Sequence, residues 1–195
     1  MGSDITSAIR PSLVMTLLFA LLVGIAYPLF ILGIGQTVFP SQANGSLVRQ
    51  GSKVIGSTVI GQAFTSARYF QTRPSAAGKG YDGLNSSGSN FGPTAKDLVK
   101  RVTADVAKRR AEGVTGPMPG DLVTASGSGL DPDLSPEAAL AQVPRIAKVR
   151  GIGETDLRSL VASSITEPTL DILGQPHVNV FQLNRKLDQL RANKH

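Results

Sequence analysis

Between Thr124 and Ser135 the chain gathers side chains that could do chemistry: Ser126-Gly127-Ser128-Gly129, then Asp131, Asp133 and Ser135. A glycine-rich loop ahead of a helix can cradle phosphate on its exposed backbone amides. Alternating aspartates can hold a hard cation through their oxygens. A serine between glycines can be a nucleophile on a sharp turn. Each chemistry has spacing rules. A phosphate loop reads G-x-x-x-x-G-K-[ST], and no lysine follows these glycines at that distance. A twelve-residue calcium loop counted from Asp131 needs glycine sixth and a bidentate glutamate twelfth. Those positions hold Pro136 and Gln142. The elbow G-x-S-x-G is not formed around Ser126 or Ser128. The stretch reads instead as a short strand over Leu122–Ala125, a tight turn, and a helix capped by Ser135 with Pro136 in its first turn. Ser126, Gly127, Ser128, Gly129 and Asp131 are then a structural turn or a partner contact, with glycines allowing close backbone approach.

Other reactive types are sparse. Cysteine is absent, and histidine occurs only at His177 and His195. Thiolate and histidine-rich metal centres are thereby excluded. His177, beside Pro176, reads as a structural hydrogen-bonder rather than a base. Arg145, three residues after Gln142, could grip a carboxylate through its planar fork or be an exposed charge; the pair joins the candidate structural or contact residues. No triad and no carboxylate pair stands out. No catalytic residue, metal site or directly bound cofactor is expected.

The elements that must position these residues begin with an anchor. No charged residue lies between Arg10 and Arg49. The apolar run Leu13–Ile34, as a helix, spans roughly 33 Å, enough for a hydrocarbon core of about 30 Å. It exceeds the h-region of a cleaved signal and has no Ala-x-Ala site after it. It predicts a retained transmembrane helix over residues 13–34, a short cytoplasmic tail over 1–12, and an extracytoplasmic domain over 35–195. Orientation follows from Arg10, which precedes the span, whereas the next positive charge is Arg49. Ala20-x-x-x-Gly24 permits close approach of a second helix. Pro28 frees a carbonyl that a neighbour can satisfy. Ala20, Gly24 and Pro28 are the predicted partner-helix contacts.

Beyond the stem, Val54–Ile60 reads as a strand, Ala67–Pro74 as a second extended piece, and Ser75–Pro93 as a long loop. Thr94-x-x-Asp97 has the form of a capping box ahead of the stripe Leu98, Val102 and Val106. Lys96, Lys100, Arg101, Lys108, Arg109 and Arg110 are assigned to that helix's outer face. Leu140, Val143 and Ile146 form another stripe, bent or ended by Pro144. Leu157, Leu160 and Val161 belong to a further helix, His177–Val180 to a strand, and Leu183, Leu187 and Leu190 to a last helix. The fold class is α+β: one N-terminal transmembrane helix, then a compact mixed domain with few short strands. A net charge of +6 and a pI near 9.9 suit anionic lipid or a merely soluble basic surface. With few aromatics among the basic residues, nucleic acid is not an expected partner.

Several stretches occur together in order: YPLF, FPSQANGSLV, VIGSTVIGQAFTSARYFQTRPSAAG, SGSNFGPT, LVTASGSGLDPDLSPEAALAQVPRIAKVRG and LGQPHVNVFQLNRKLD. As a set they resemble the C-subunit family of the Kdp-type potassium-transporting P-type ATPases, over residues 10–190. The resemblance implies a bacterial or archaeal plasma-membrane complex. Its partners would be a channel-like potassium-binding subunit and the P-type subunit that hydrolyses ATP; a small single-span subunit can accompany them. ATP and potassium would be handled by the complex. Family members are regarded as assembly factors or as catalytic chaperones that raise ATP affinity. A domain outside the membrane cannot touch cytoplasmic ATP, so assembly or ion-entry roles are expected over nucleotide binding. A membrane-anchored exported hydrolase is the rival from another class. A pilin-like subunit is a third, disfavoured because the apolar run carries no early charge.

Overall fold

The computed structural model describes residues 2–192. Met1 and residues 193–195, the extremes of the expected tail and domain and the site of His195, lie outside the described residues. The chain divides into two compact units, one ending at Leu47 and one beginning at Val48.

The first unit is built on the apolar helix: α1 (Gly2–Leu21), a π-helical turn (Leu22–Ala26) and α2 (Tyr27–Val38). Ser7–Val38 is long and apolar enough to cross a membrane, its 18-residue apolar stretch having a mean hydropathy of 2.6. The π turn has a local cause. Pro28 offers no amide to the carbonyl four residues back, and the Tyr27 amide bonds to Leu22 instead, one residue beyond α-helical register. Ala20, Gly24 and Pro28 all lie on this exposed length, with open space around Gly24. A short helix, α3 (Pro40–Ala43), closes the unit.

At the boundary begins a hairpin of β1 (Leu47–Gln50) and β2 (Lys53–Ser57), turned at Gly51 with φ 61° and, from Val48 on, part of the second unit. The expected strand over Val54–Ile60 therefore ends early. Helix α4 (Lys96–Ala111) follows the long loop. Its N-cap is Ala95, and no side chain caps it, so the predicted Thr94–Asp97 box does not form. Leu122–Ala125 is not a strand either. A 3-10 turn spans Gly120–Leu122, and Thr124 bonds back to Gly120.

Strand β3 (Asp133–Leu134), helices α5 (Pro136–Leu140), α6 (Val143–Arg150) and α7 (Glu154–Ala162), strands β4 (Ile165–Thr166) and β5 (His177–Asn179), and helix α8 (Val180–Ala192) complete the unit. The stripe Leu140, Val143, Ile146 is broken rather than bent: α5 ends at Leu140, and Pro144 lies in the first turn of α6, where its missing amide costs nothing. Ser135 caps α5, accepting from the Ala138 amide at 3.3 Å. The sheet order is β3-β5-β4, antiparallel, pairing Asp133 with Asn179, Leu134 and Ile165 with Val178, and Thr166 with His177. Alternation sends Leu134, Val178 and Ile165 toward the core and leaves Asp133, Asn179, His177 and Thr166 on the other face. Phe70, Leu122, Val143, Ile146, Leu157, Val161, Leu183 and Leu187 fill that core.

Candidate functional site

Two polar regions carry the residues that sequence singled out. The larger surrounds residues 67–73, which form no strand. A buried backbone without a sheet partner must find its hydrogen bonds elsewhere. Here every carbonyl from Ala67 to Arg73 accepts from a side chain. Arg145 donates to Ala67 and Tyr69, and Arg150 to Arg68. Asn184 bonds both ways with Phe70, its Oδ1 accepting from the amide and its Nδ2 donating to the carbonyl, each at 2.9 Å. Gln142 does the same for Gln71, at 2.8 and 3.0 Å. Arg109 reaches Thr72, and the Tyr81 hydroxyl reaches Arg73. The two amides act as one-residue strands.

These side chains reach in from α4, α6 and α8, from the turn before α6 and, for Tyr81, from the loop 75–93. Their own partners fix them in turn. Arg145 also donates to the Gln142 Oε1 at 2.7 Å, and Arg109 donates to the Gln71 side chain, to the Leu122 carbonyl and to Glu112. Arg150 pairs with Asp188 at 2.8 Å and stacks on the Tyr69 ring. Burial lowers the Arg145 pKa from its ordinary value; Glu112 opposes the shift and Arg109 adds to it. A guanidinium stays charged under such pressure. Arg145 is thus neither an exposed charge nor a carboxylate clamp: it is buried and donates to carbonyls. Arg109, assigned to an outer face, is 6% exposed, and the correction has a plain cause. Leu98, Val102, Val106 and Arg109 fall at steps of four, four and three, so Arg109 lies on the apolar stripe. Gln71, Asn184 and Arg73 were missed altogether, although Asn184 interrupts the stripe Val180, Leu183, Leu187 in the same way.

The second region is the serine–glycine turn packed on the loop 75–93. The Ser126 and Ser128 hydroxyls accept from the amides of Gly129 and Leu130 at 2.9 and 3.1 Å. The Ser128 carbonyl accepts from the Ser87 amide and the Ser86 hydroxyl, and the Gly129 carbonyl from the Ser75 hydroxyl at 2.6 Å. Gly129 has φ 65°, and a Cβ there would sit 2.5 Å from the Ser87 carbonyl oxygen and 2.7 Å from the Ala77 nitrogen. Glycine at 129 is therefore forced by both conformation and space. Gly127 is different: a Cβ there would meet nothing within 4 Å. Asp131 pairs with Arg73 at 3.1 Å and accepts from the Asp133 amide at 3.0 Å. Arg73 also reaches Asp121 at 3.6 Å, and Asp121 accepts from the Ser135 amide at 2.7 Å. The oxygens that a cation would need are thus bonded to the protein itself.

A third polar surface lines a cavity of about 200 Å³ on the outer face of the sheet, with Asp133, His177, Asn179 and Lys186. Burial raises the Asp133 pKa; the Asn179 amide, at 2.9 Å, and His177 pull it down, and Asp131 pushes it up. His177 Nδ1 lies 3.0 Å from the Gln175 carbonyl oxygen. Among the described residues no group of three or more His, Cys, Asp or Glu side chains is placed to hold a metal ion.

The stretches that meet in this architecture have close relatives. The family profile described as KdpC, the c chain of the K+-transporting ATPase, matches residues 9–189. The potassium-transporting ATPase KdpC subunit of Caulobacter vibrioides (strain NA1000 / CB15N) is 51% identical over 183 residues, covering 93% of this chain and 93% of that protein. The KdpC subunit of Methylobacterium nodulans is 52% identical over 194 residues, covering 93% of this chain and 96% of its own length. That of Allorhizobium ampelinum is 48% identical over 189 residues, covering 96% and 99%. With the match running from the apolar helix through the clamp on residues 67–73 to α8, the chain belongs to the KdpC family.

Proposed function

We propose that the chain is a non-catalytic accessory subunit of an ATP-driven potassium uptake complex, anchored by its N-terminal helix and serving to assemble or stabilise that complex and so support its ATPase. The observation that carries this reading is how the motif's polar groups are used. The side chains that would have to supply chemistry (Ser126, Ser128, Asp131, Gln142 and Arg145) are bonded to the protein's own backbone and to each other. They build a shaped surface rather than a reaction centre. The exported-hydrolase reading loses its two candidate nucleophiles to that turn.

Family membership supports partners of the kind the resemblance implies: a channel-like potassium-binding subunit and the P-type ATP-hydrolysing subunit, with membrane lipid around the helix. The charge pattern supports a cytoplasmic N-terminus, since Arg10 precedes the apolar run Leu13–Ile34 and the next cation after it is Arg49. The domain then lies outside the plasma membrane. Leu84 offers a direct test, because it is 95% exposed and the chain has no cysteine. In intact cells, Leu84→Cys is expected to react with a membrane-impermeant thiol reagent while the complex retains its ATPase activity. Labelling only after lysis reverses the topology.

A further inference from the structure

Between β4 and β5 the chain makes a small projecting hairpin. Thr169 and Leu173 exchange amide–carbonyl bonds at 3.0 Å in both directions. The three residues at the tip turn back through left-handed backbone, with Leu170 at φ 57° and Asp171 at φ 59°. Leu170, Ile172 and Leu173 are 78%, 77% and 61% exposed. Elsewhere in the second unit, exposed large apolar residues of this degree do not cluster so tightly. Side chains this bare contribute little to the fold, while leucine in the left-handed region costs free energy. A fold does not gain from either feature, whereas an interface does.

We infer that this hairpin tip is a docking finger, which seats Leu170 and Ile172 in an apolar socket with a basic rim on another protein subunit of the transport complex. The inference rests on the accessory-subunit reading and specifies how the subunit attaches. Charge and composition choose the occupant. Between Arg158 and Arg185 the chain has no lysine or arginine, and its acidic residues are Glu167 and Asp171. Between Arg158 and Phe181 it has no Phe, Tyr or Trp. A lipid-seeking loop uses basic residues and interfacial aromatics, and this one has neither. Asp171, between Leu170 and Ile172, would enter hydrocarbon without a partner, whereas a protein socket can present an arginine or lysine to it. A second copy of the chain offers a groove of about 480 Å³, with Met118, Leu140 and Pro144 along it and Arg158 at its edge. Finger-in-groove contact between copies is head-to-tail, however, and does not close on itself unless the rotation makes a ring. A different subunit is the better fit.

The test uses the full chain expressed with its complex, comparing wild type, the double variant Leu170→Ser/Ile172→Ser, Asp171→Lys, and Leu84→Ser as a control for exposed apolar loss elsewhere. The double variant is expected to accumulate in membranes and to unfold at the wild-type temperature, yet to co-purify with the ATPase subunits at least tenfold less. Asp171→Lys should lower the yield by a similar direction and smaller factor, and Leu84→Ser should leave it intact. Wild-type yield from the double variant overturns the finger, as does an equal loss with Leu84→Ser. A loss explained by lower melting temperature overturns it too. So does an intact complex accompanied by lost binding to phosphatidylglycerol vesicles, which assigns the tip to lipid, or by lost self-association of the purified chain, which assigns it to a second copy. Failure of wild type itself to co-purify refutes the accessory-subunit reading instead.

Discussion

The clamp on residues 67–73 and the turn at 124–131 solve the same problem by different means. Both are irregular backbone that must satisfy its polar groups without a sheet. In the clamp, the partners are long side chains reaching from α6, α8 and α4, and the amides and carbonyls they hold at Phe70 and Gln71 are buried. In the turn, the Gly129 and Leu130 amides are held by hydroxyls two or three residues away, a part-buried one at Ser126 and an exposed one at Ser128, and the Gly129 amide also has the Ser126 carbonyl within 3.3 Å. Water can replace the lost hydroxyl at Ser128 and the Ser126 carbonyl can hold the Gly129 amide, whereas the buried groups of the clamp have no such substitute. Similar bond lengths therefore have unequal worth, and the difference lies in what is left behind when a partner is removed.

The largest effect should come from Gln142→Leu. It leaves the Gln71 amide and carbonyl buried and unpaired and deprives Arg145 of an acceptor. A loss of about 3–4 kcal/mol is expected in urea unfolding of the solubilised chain. Ser126→Ala and Ser128→Ala should each stay within about 0.5 kcal/mol. Equal losses at Gln142 and at the serines would erase the contrast between buried and solvated partners.

Gly129→Val comes next and sharpens the comparison inside the turn itself. The valine would need φ 65° and would press on the Ser87 carbonyl and the Ala77 amide, at a cost of about 3 kcal/mol. Gly127→Val should stay within about 1 kcal/mol, because open space surrounds it. Thermal unfolding of the two variants measures this. Matching destabilisation would mean that the turn needs flexibility at both glycines rather than close approach at one.

Sequence made some of this legible and hid the rest for physical reasons. The apolar run Leu13–Ile34 and the Ser135-Pro136 cap are local signals, complete within a few residues, and both features are present in the structure. The strand expected over Leu122–Ala125 failed because a short apolar pair does not choose between a strand and a buried 3-10 turn; the Thr124 bonds back to Gly120 decide it. The capping box failed because Ala95 became the boundary residue, one position later than Thr94. Arg109, Gln142, Arg145 and Asn184 were readable as polar positions on apolar stripes. What they would bind was not readable, since their targets lie between 37 and 114 residues away in the chain. Charge alone had sent Arg109 to the surface; its spacing pointed inward.

The smallest predicted effect tests the third polar surface, where burial rather than a missing partner sets the energetics. Asp133 accepts from Asn179, yet burial raises its pKa above the ordinary carboxylate value, and Asp131 adds to the rise while His177 opposes it. The folded state therefore binds the Asp133 proton more tightly than the unfolded chain does. Unfolding then releases a proton in the window between the unfolded and folded pKa values. Stability from this group is fully present below the unfolded pKa, and it declines as pH rises through the folded pKa. Asp133→Asn keeps an oxygen for the Asn179 amide and removes the cost of holding a charge in a half-buried place. The variant should melt slightly above wild type at pH 7, and the gap should shrink as pH falls below the ordinary carboxylate pKa. Melting curves at pH 3.5, 5 and 7 read this directly. A variant less stable than wild type at pH 7 would mean that the ionised carboxylate, held by Asn179 and attracted by His177, contributes more than its burial costs.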